Sequence, residues 1–148
     1  MYKCILIPID GTPDSRKAIR PAVQLAKDQN AKVVGIHVAP AQRGNVFEES
    51  TTRGYVSPRE YAARARKHSG KVLRDVEQAA SRAGVPYTGV HAISDFPYIE
   101  IIKAAKRYTC DLIFMGSHSR RGLSRLLLGS ETSRVLSHTT IPVLVHRT

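Results

Sequence analysis

Apolar residues recur along this chain with two different periods. Tyr2–Asp10, Lys32–Val38, Cys110–Met115 and Ile141–His146 are short, nearly unbroken apolar runs, as expected of strands buried on both faces of a parallel sheet. Tyr87–Ile93 alternates instead and predicts a half-buried strand at a sheet edge. Between these runs apolar residues return every three or four positions. One such segment runs from Pro13 to Asn30, with Asp14 and Ser15 at its start and Ala18, Ala22, Leu25 and Ala26 on one face. The longest opens at Ser57-Pro58, an N-cap followed by a first-turn proline, and ends at Gly84 before Pro86. Its inward stripe reads Tyr61, Ala65, His68, Val72, Val76 and Ala79 or Ala80, with Gly70 a weak point inside. Two more helices are predicted, over Pro97–Tyr108 (Ile99, Ile102 and Ala105 or Lys106 along one side) and Ser130–Ser137. Gly122–Leu128 reads as a short helical turn with Leu123, Leu126 and Leu127 inward, and residues 39–57 as a long surface loop. Strand and helix alternate throughout, which predicts one domain over residues 1–148, a three-layer α/β/α sandwich around a parallel sheet with right-handed crossovers.

Candidate chemistry gathers where the strand from Cys110 meets the helix from Ser130. The connection carries Gly116, Ser119, Gly129 and Ser130 with Arg120, Arg121 and Arg125, so backbone N–H groups and cations converge near a helix N-terminus. Unpaired N–H groups and the helix dipole favour an anion there, and small residues allow close approach, so the stretch suits a phosphate. Asp10 ends the first strand. Ligands of open parallel sheets bind at the carboxyl ends of strands, so Asp10 is placed for a ribose, a base or a metal, or else caps the following helix. His37, near the end of the second strand, would touch a ligand or be a satisfied histidine at the sheet edge.

Composition changes this picture little. The 148 residues include 23 Lys and Arg against 12 Asp and Glu, a formal charge of +11 that favours anionic partners, although the cations are scattered along helices as on a solvated basic face. With 6% aromatic residues and no interleaving of rings with cations, a nucleic-acid partner is not expected. No apolar run is long enough for a membrane span and the chain opens on a strand pattern, so the expected address is the cytoplasm. Phosphoryl-transfer machinery is missing: there is no Gly-x4-Gly-Lys-[Ser/Thr] loop, no serine elbow, and no metal-ligand spacing among the six histidines. Two cysteines make no disulfide framework; both open apolar strands and read as small core residues.

Taken in order, these pieces resemble the universal stress protein family. The resemblance runs from Lys3-Cys-Ile-Leu-Ile-Pro8-Ile9-Asp10-Gly11 through Gly35-Ile-His37-Val38 to Asp111–His118, Gly129-Ser130 and Ile141–Val145. Nucleotide-binding members of that family carry Gly-x2-Gly-x9-Gly-[Ser/Thr]; here the pattern is Gly116-x2-Ser119-x9-Gly129-Ser130, with a serine at the second glycine. The resemblance implies a Rossmann-like, adenine-nucleotide-binding fold with a five-stranded sheet of order 3-2-1-4-5, and a homodimer through the last strand, residues 142–146. It further implies ATP or AMP held by Pro8, Ile9, Asp10 and Val38 around the adenine and by Met115 and Gly116 at the ribose. Ser119, Gly129 and Ser130 would face the phosphates, with His118 and Glu131 beside them. Mg²⁺ would come with ATP, Asp10 touching it through the nucleotide, and Glu131 would repel the phosphates somewhat. The implied activity is a dimeric nucleotide sensor in a stress response, with at most slow hydrolysis or autophosphorylation. A nucleotide-free interaction protein of the same fold is the alternative. With that strand order Cys4 and Cys110 would stand on adjacent strands as reduced neighbours.

Overall fold

The computed structural model describes residues 1–42, 56–117 and 128–147. Strands β1 (Cys4–Pro8), β2 (Lys32–Ala39), β3 (Tyr87–Ile93), β4 (Leu112–Gly116) and β5 (Val143–His146) form one sheet in the order β3-β2-β1-β4-β5. Every neighbouring pair is parallel, so each connection must cross over the sheet, and the helices cover both faces. The helices are α1 (Pro13–Lys17), α2 (Ile19–Asp28), α3 (Pro58–Ala83), α4 (Pro97–Arg107) and α5 (Ser130–His138). Fold class and strand order are those expected, and β3 occupies an edge.

The strands alternate between two cores, which is why β1 and β4 read as unbroken apolar runs. Ile5, Ile7, Leu112 and Phe114 face one cluster with Val72 and Val76 of α3 and Ala22, Val23 and Ala26 of α2. Leu6, Ile36, Ile113 and Met115 face the other, with Ile101 and Ala105 of α4 and Val135 of α5. Each fully buried side chain of this size contributes about 1.5–3 kcal/mol relative to an exposed one, so the two clusters fix which strand face each helix covers.

Two helical expectations are corrected. The segment from Pro13 to Asn30 is not one helix: it breaks at Ala18, and Asn30 leaves the helical region at φ 54°. Pro21 is the cause, because inside a continuous helix it has no N–H for the Lys17 carbonyl and its ring would crowd that oxygen. In α3 the stripe facing the sheet is Ala65, Ser69, Val72, Leu73, Val76 and Ala80, while His68 is exposed. Ser69 is fully buried because its Oγ lies 2.6 Å from Nδ1 of His37 and 2.7 Å from Nδ1 of His91. Those histidines are register partners on β2 and β3. His37 is thus a satisfied core histidine under α3, although His68 packs edge-on against its ring.

The ends of α3 follow the sequence closely. Ser57 Oγ accepts the Glu60 N–H while Glu60 accepts the Ser57 N–H, with Pro58 in the first turn. Gly84 closes the other end in the left-handed conformation at φ 69°, where a side chain would be strained. The turn expected over Gly122–Leu128 lies outside the described residues except for Leu128, which is exposed, and only residues 39–42, 56 and 57 of the expected long loop are described.

Candidate functional site

A cleft of about 270 Å³ opens at the carboxyl ends of β1, β2 and β4. This is where the sheet's connections diverge: β1 continues toward α1 and α2 on one face, and β4 toward α5 on the other. Of the residues singled out from the sequence, Pro8, Ile9, Asp10, Val38, Met115, Gly116 and Glu131 line this one cavity. Gly129 and Ser130 form the N-terminus of α5 next to Glu131. His118 and Ser119, with Arg120, Arg121 and Arg125, lie outside the described residues.

Asp10 both lines the cleft and organises the turn into α1. Its Oδ1 accepts from the Thr12 N–H at 2.9 Å and from the Thr12 hydroxyl at 2.6 Å. Thr12, not Asp10, is the N-cap, its Oγ1 accepting from the Ser15 N–H. The expected capping role is therefore one step removed: the carboxylate holds the residue that caps.

The other wall is the junction of β4 with α5. Gly116 runs so close to α1 that a Cβ there would meet the Asp14 carbonyl oxygen at 3.3 Å. The chain leaves the sheet at Ser117, whose carbonyl accepts the Gly129 N–H at 2.8 Å, joining the end of β4 to the start of α5. Thr132 Oγ1 donates to the Gly116 carbonyl at 3.1 Å, tying the first turn of α5 to the strand end. Gly129 offers no side chain to cap α5. The first-turn N–H groups of α5 consequently meet no capping oxygen from their own helix start, the arrangement that suits an incoming anion.

Glu131 differs from its expected role. Its Oε2 accepts the Tyr98 N–H at 3.0 Å, capping the start of α4, and its Oε1 pairs with Arg134 at 3.0 Å. The repulsion expected toward phosphate is thereby reduced, because the carboxylate is committed to a helix N-terminus and a guanidinium. Sequence reasoning missed Ser15, Ile36, Pro40, Ser94, Asp95, Pro97, Ile101 and Thr132 as lining residues. A signal existed for Ser94 and Asp95: they follow the third strand directly, at the sheet edge where ligands of such folds sit. Asp95 accepts the Ala41 N–H at 3.1 Å and the Ser94 N–H donates to Ala39, joining the ends of β2 and β3 at the rim. Tyr61 adds a hydroxyl donated to the Pro40 carbonyl. Among the described residues no group of three or more His, Cys, Asp or Glu is placed to hold a metal ion.

A sequence model of the Universal stress protein family matches residues 1–147. The chain belongs to the universal stress protein family. It is 33% identical to universal stress protein YxiE of Bacillus subtilis, over 99% of this chain and all of that one. Its fold is similar to a universal stress protein family member from Burkholderia pseudomallei, with a TM-score of 0.76 at 26% identity, covering 99% and 97% of the two chains. Two further fold neighbours were solved with nucleotides. A universal stress protein in complex with cAMP has a TM-score of 0.67 at 20% identity over 99% and 97% of the chains. The Archaeoglobus fulgidus universal stress protein in complex with dAMP has a TM-score of 0.67 at 15% identity, over 97% of each. Among the described residues of this family member, no helix is long and apolar enough to cross a membrane.

Proposed function

We propose that this universal stress protein binds an adenine nucleotide, ATP first among them, at the carboxyl edge of its sheet and acts in the cytoplasm as a dimeric sensor or switch. One observation carries the reading: an apolar slot and an α-helix N-terminus without a side-chain cap meet across the gap between β1 and β4. The adenine would lie against Pro8, Ile9 and Val38 with Asp10 at its edge, the ribose at Met115 and Gly116, and the phosphates at Gly129 and Ser130. First-turn N–H groups and the helix dipole supply donors for the phosphates. A carboxylate already bonded to Tyr98 and Arg134 leaves room for that charge. The nucleotide complexes of two fold neighbours make adenine nucleotides the ligand class to test. Mg²⁺, arriving with ATP, would offset triphosphate charge, and Asp10 is the residue that would hold it through the nucleotide.

In this reading the nucleotide acts as a signal, with hydrolysis at most slow. The dimer would form on β5, an edge strand whose Leu144 is 38% exposed. Native against denaturing mass spectrometry of freshly purified protein, with and without added ATP, tests both parts. A dimer mass with nucleotide is expected. A dimer that takes up no nucleotide would replace this reading with a nucleotide-free interaction protein, and a monomer would remove the β5 interface.

A further inference from the structure

At the opposite edge of the sheet from the cleft, Cys4 opens β1 and Cys110 stands just before β4. Their Sγ atoms are 2.9 Å apart, and both thiols are free. They are 1% and 5% exposed. The backbone around them is held firmly. The Asp111 carboxylate accepts the Lys3 N–H at 2.9 Å and the Cys4 N–H at 3.0 Å, while the Asp111 N–H donates to the Cys4 carbonyl at 3.0 Å. On the other side the Cys110 N–H donates to Ala105 at 2.8 Å, after Thr109 turns the chain at φ 53°. The Ile5–Leu112 register carried back one residue sets Asp111 opposite Cys4 with Cys110 just before it, on strands roughly 4.8 Å apart, and the two sulfurs meet on this diagonal. Packing of a small core residue asks for none of this alignment of one sulfur on another.

We propose that Cys4 and Cys110 form a redox-modification site, at which a hydroperoxide converts the buried dithiol into an internal disulfide joining the starts of β1 and β4. The two thiols are not equivalent. The hydrogen bond from Cys110 holds the Cys4 thiol below its ordinary value against the opposing effect of burial, while the bond to Cys4 and burial push Cys110 up. Cys4 is therefore the attacking sulfur. Its thiolate takes one peroxide oxygen: an S–O bond forms, the O–O bond breaks, and the departing oxygen leaves as water or alcohol after taking up a proton. The Cys110 sulfur then displaces hydroxide from the Cys4 sulfenic acid, forming the S–S bond, and its proton leaves with the hydroxide as water. Two electrons pass from the sulfurs to the peroxide, and a thiol reductant reverses the change.

Burial makes access the slow step, so the folded protein reacts more slowly than the unfolded chain. Contact between the sulfurs makes the second step fast, so sulfenic acid does not accumulate. The disulfide closes a loop over most of the chain and raises the thermal midpoint by restricting the unfolded state. Asp10 lies six residues further along from Cys4, roughly 20 Å at the rise of a strand. Nucleotide binding therefore stays unchanged on oxidation, and the two proposals fail separately.

The test uses the full chain, reduced, desalted and treated with graded hydrogen peroxide, then denatured, alkylated and weighed intact. Counting alkyl groups is insensitive to methionine oxidation. Reduced protein should carry two groups; oxidised protein should carry none, as a monomer lighter by two hydrogens, and dithiothreitol should restore both. Cys110→Ser should accumulate a Cys4 sulfenic acid that dimedone traps. The wild-type reading needs no variant to fold. Two alkylatable thiols in folded protein, after peroxide exposure prolonged until the thiol count no longer changes, would overturn the proposal. Bridging between chains or over-oxidation in place of the internal bond would do the same.

Discussion

Replacing Ser69 by alanine removes a single hydroxyl from the middle of α3, yet it should cost more than most core truncations of that size. The hydroxyl has one proton and two lone pairs, so it donates to Nδ1 of one histidine and accepts from Nδ1–H of the other, at 2.6 and 2.7 Å. Alanine leaves both ring nitrogens without this partner. A buried donor or acceptor deprived of its partner costs about 1–3 kcal/mol. His37, at 2% exposure, sits at the upper part of that range, whereas His91 is partly exposed and can turn to water. The expected loss is about 2–3 kcal/mol, which lowers the urea midpoint by roughly 0.7–3 M for a slope of about 1–3 kcal/mol/M. Circular dichroism during urea titration at neutral pH measures it. The pH dependence has a defined sign. Burial, and then the neighbouring Arg66, hold His91 below its ordinary 6.5. The unfolded chain therefore binds this proton first, and stability should fall as pH drops through about 6.5, levelling once His91 charges in the folded protein. With both Nδ1 atoms protonated the serine proton has no ring acceptor, so the gap between wild type and Ser69→Ala should narrow on the acid side. A neutral-pH midpoint indistinguishable from wild type would refute the bridging role.

Other expectations are shorter. Gly70→Ala, in the interior of α3 with nothing near the added methyl, should stabilise by about 0.5–1 kcal/mol. Gly84→Ala, equally open but at φ 69°, should instead cost about 1–2 kcal/mol in the same denaturation assay. Burial, with Glu77 second, pushes Tyr87 up to about 12 from 10.0, so the unfolded chain loses that proton first and stability should fall across this alkaline window, as followed by urea titrations through it. Leu144→Asp on the exposed edge of β5 should shift the sedimenting species from dimer to monomer with little change in stability; an unchanged dimer would place the interface elsewhere.

The layers and helix caps were legible because they depend on neighbours close in the chain. Ser57 and Glu60 cap α3 within one turn, and the apolar runs of β1 and β4 signal two-sided burial whatever helices cover them. What stayed hidden depends on distant partners. The expected inward stripe of α3 included His68 and left Ser69 out. Only the arrival of two histidines, 32 and 22 residues away in sequence, makes a buried serine favourable. Glu131 looked like a liability beside Ser130 until the start of α4, 33 residues earlier, offered it the Tyr98 N–H. The Ala18 break was readable from Pro21 alone and was overlooked because the apolar stripe of Ala18, Ala22 and Ala26 runs across it. At the cleft, the ends of β1 and β4 were found, whereas Ile36, Pro40, Ser94 and Asp95 around the ends of β2 and β3 were not, and Ile101 and Pro97 entered from α4, whose position over the sheet is a property of the whole fold.

The central claim is that the cleft and the α5 N-terminus together hold a nucleotide. Isothermal calorimetry of wild type and Gly129→Val, each titrated with ATP and with adenosine, addresses it directly. Phosphate contacts at the helix start predict that wild type binds ATP more tightly than adenosine and more weakly as salt rises. Gly129→Val should abolish that preference while leaving adenosine binding and the urea midpoint nearly unchanged. Restoring glycine at Ser119, where the family pattern has one, should tighten ATP binding about tenfold, equivalent to about 1.4 kcal/mol. Equal ATP affinity in wild type and Gly129→Val would contradict the account, because the helix start would then not be the phosphate site.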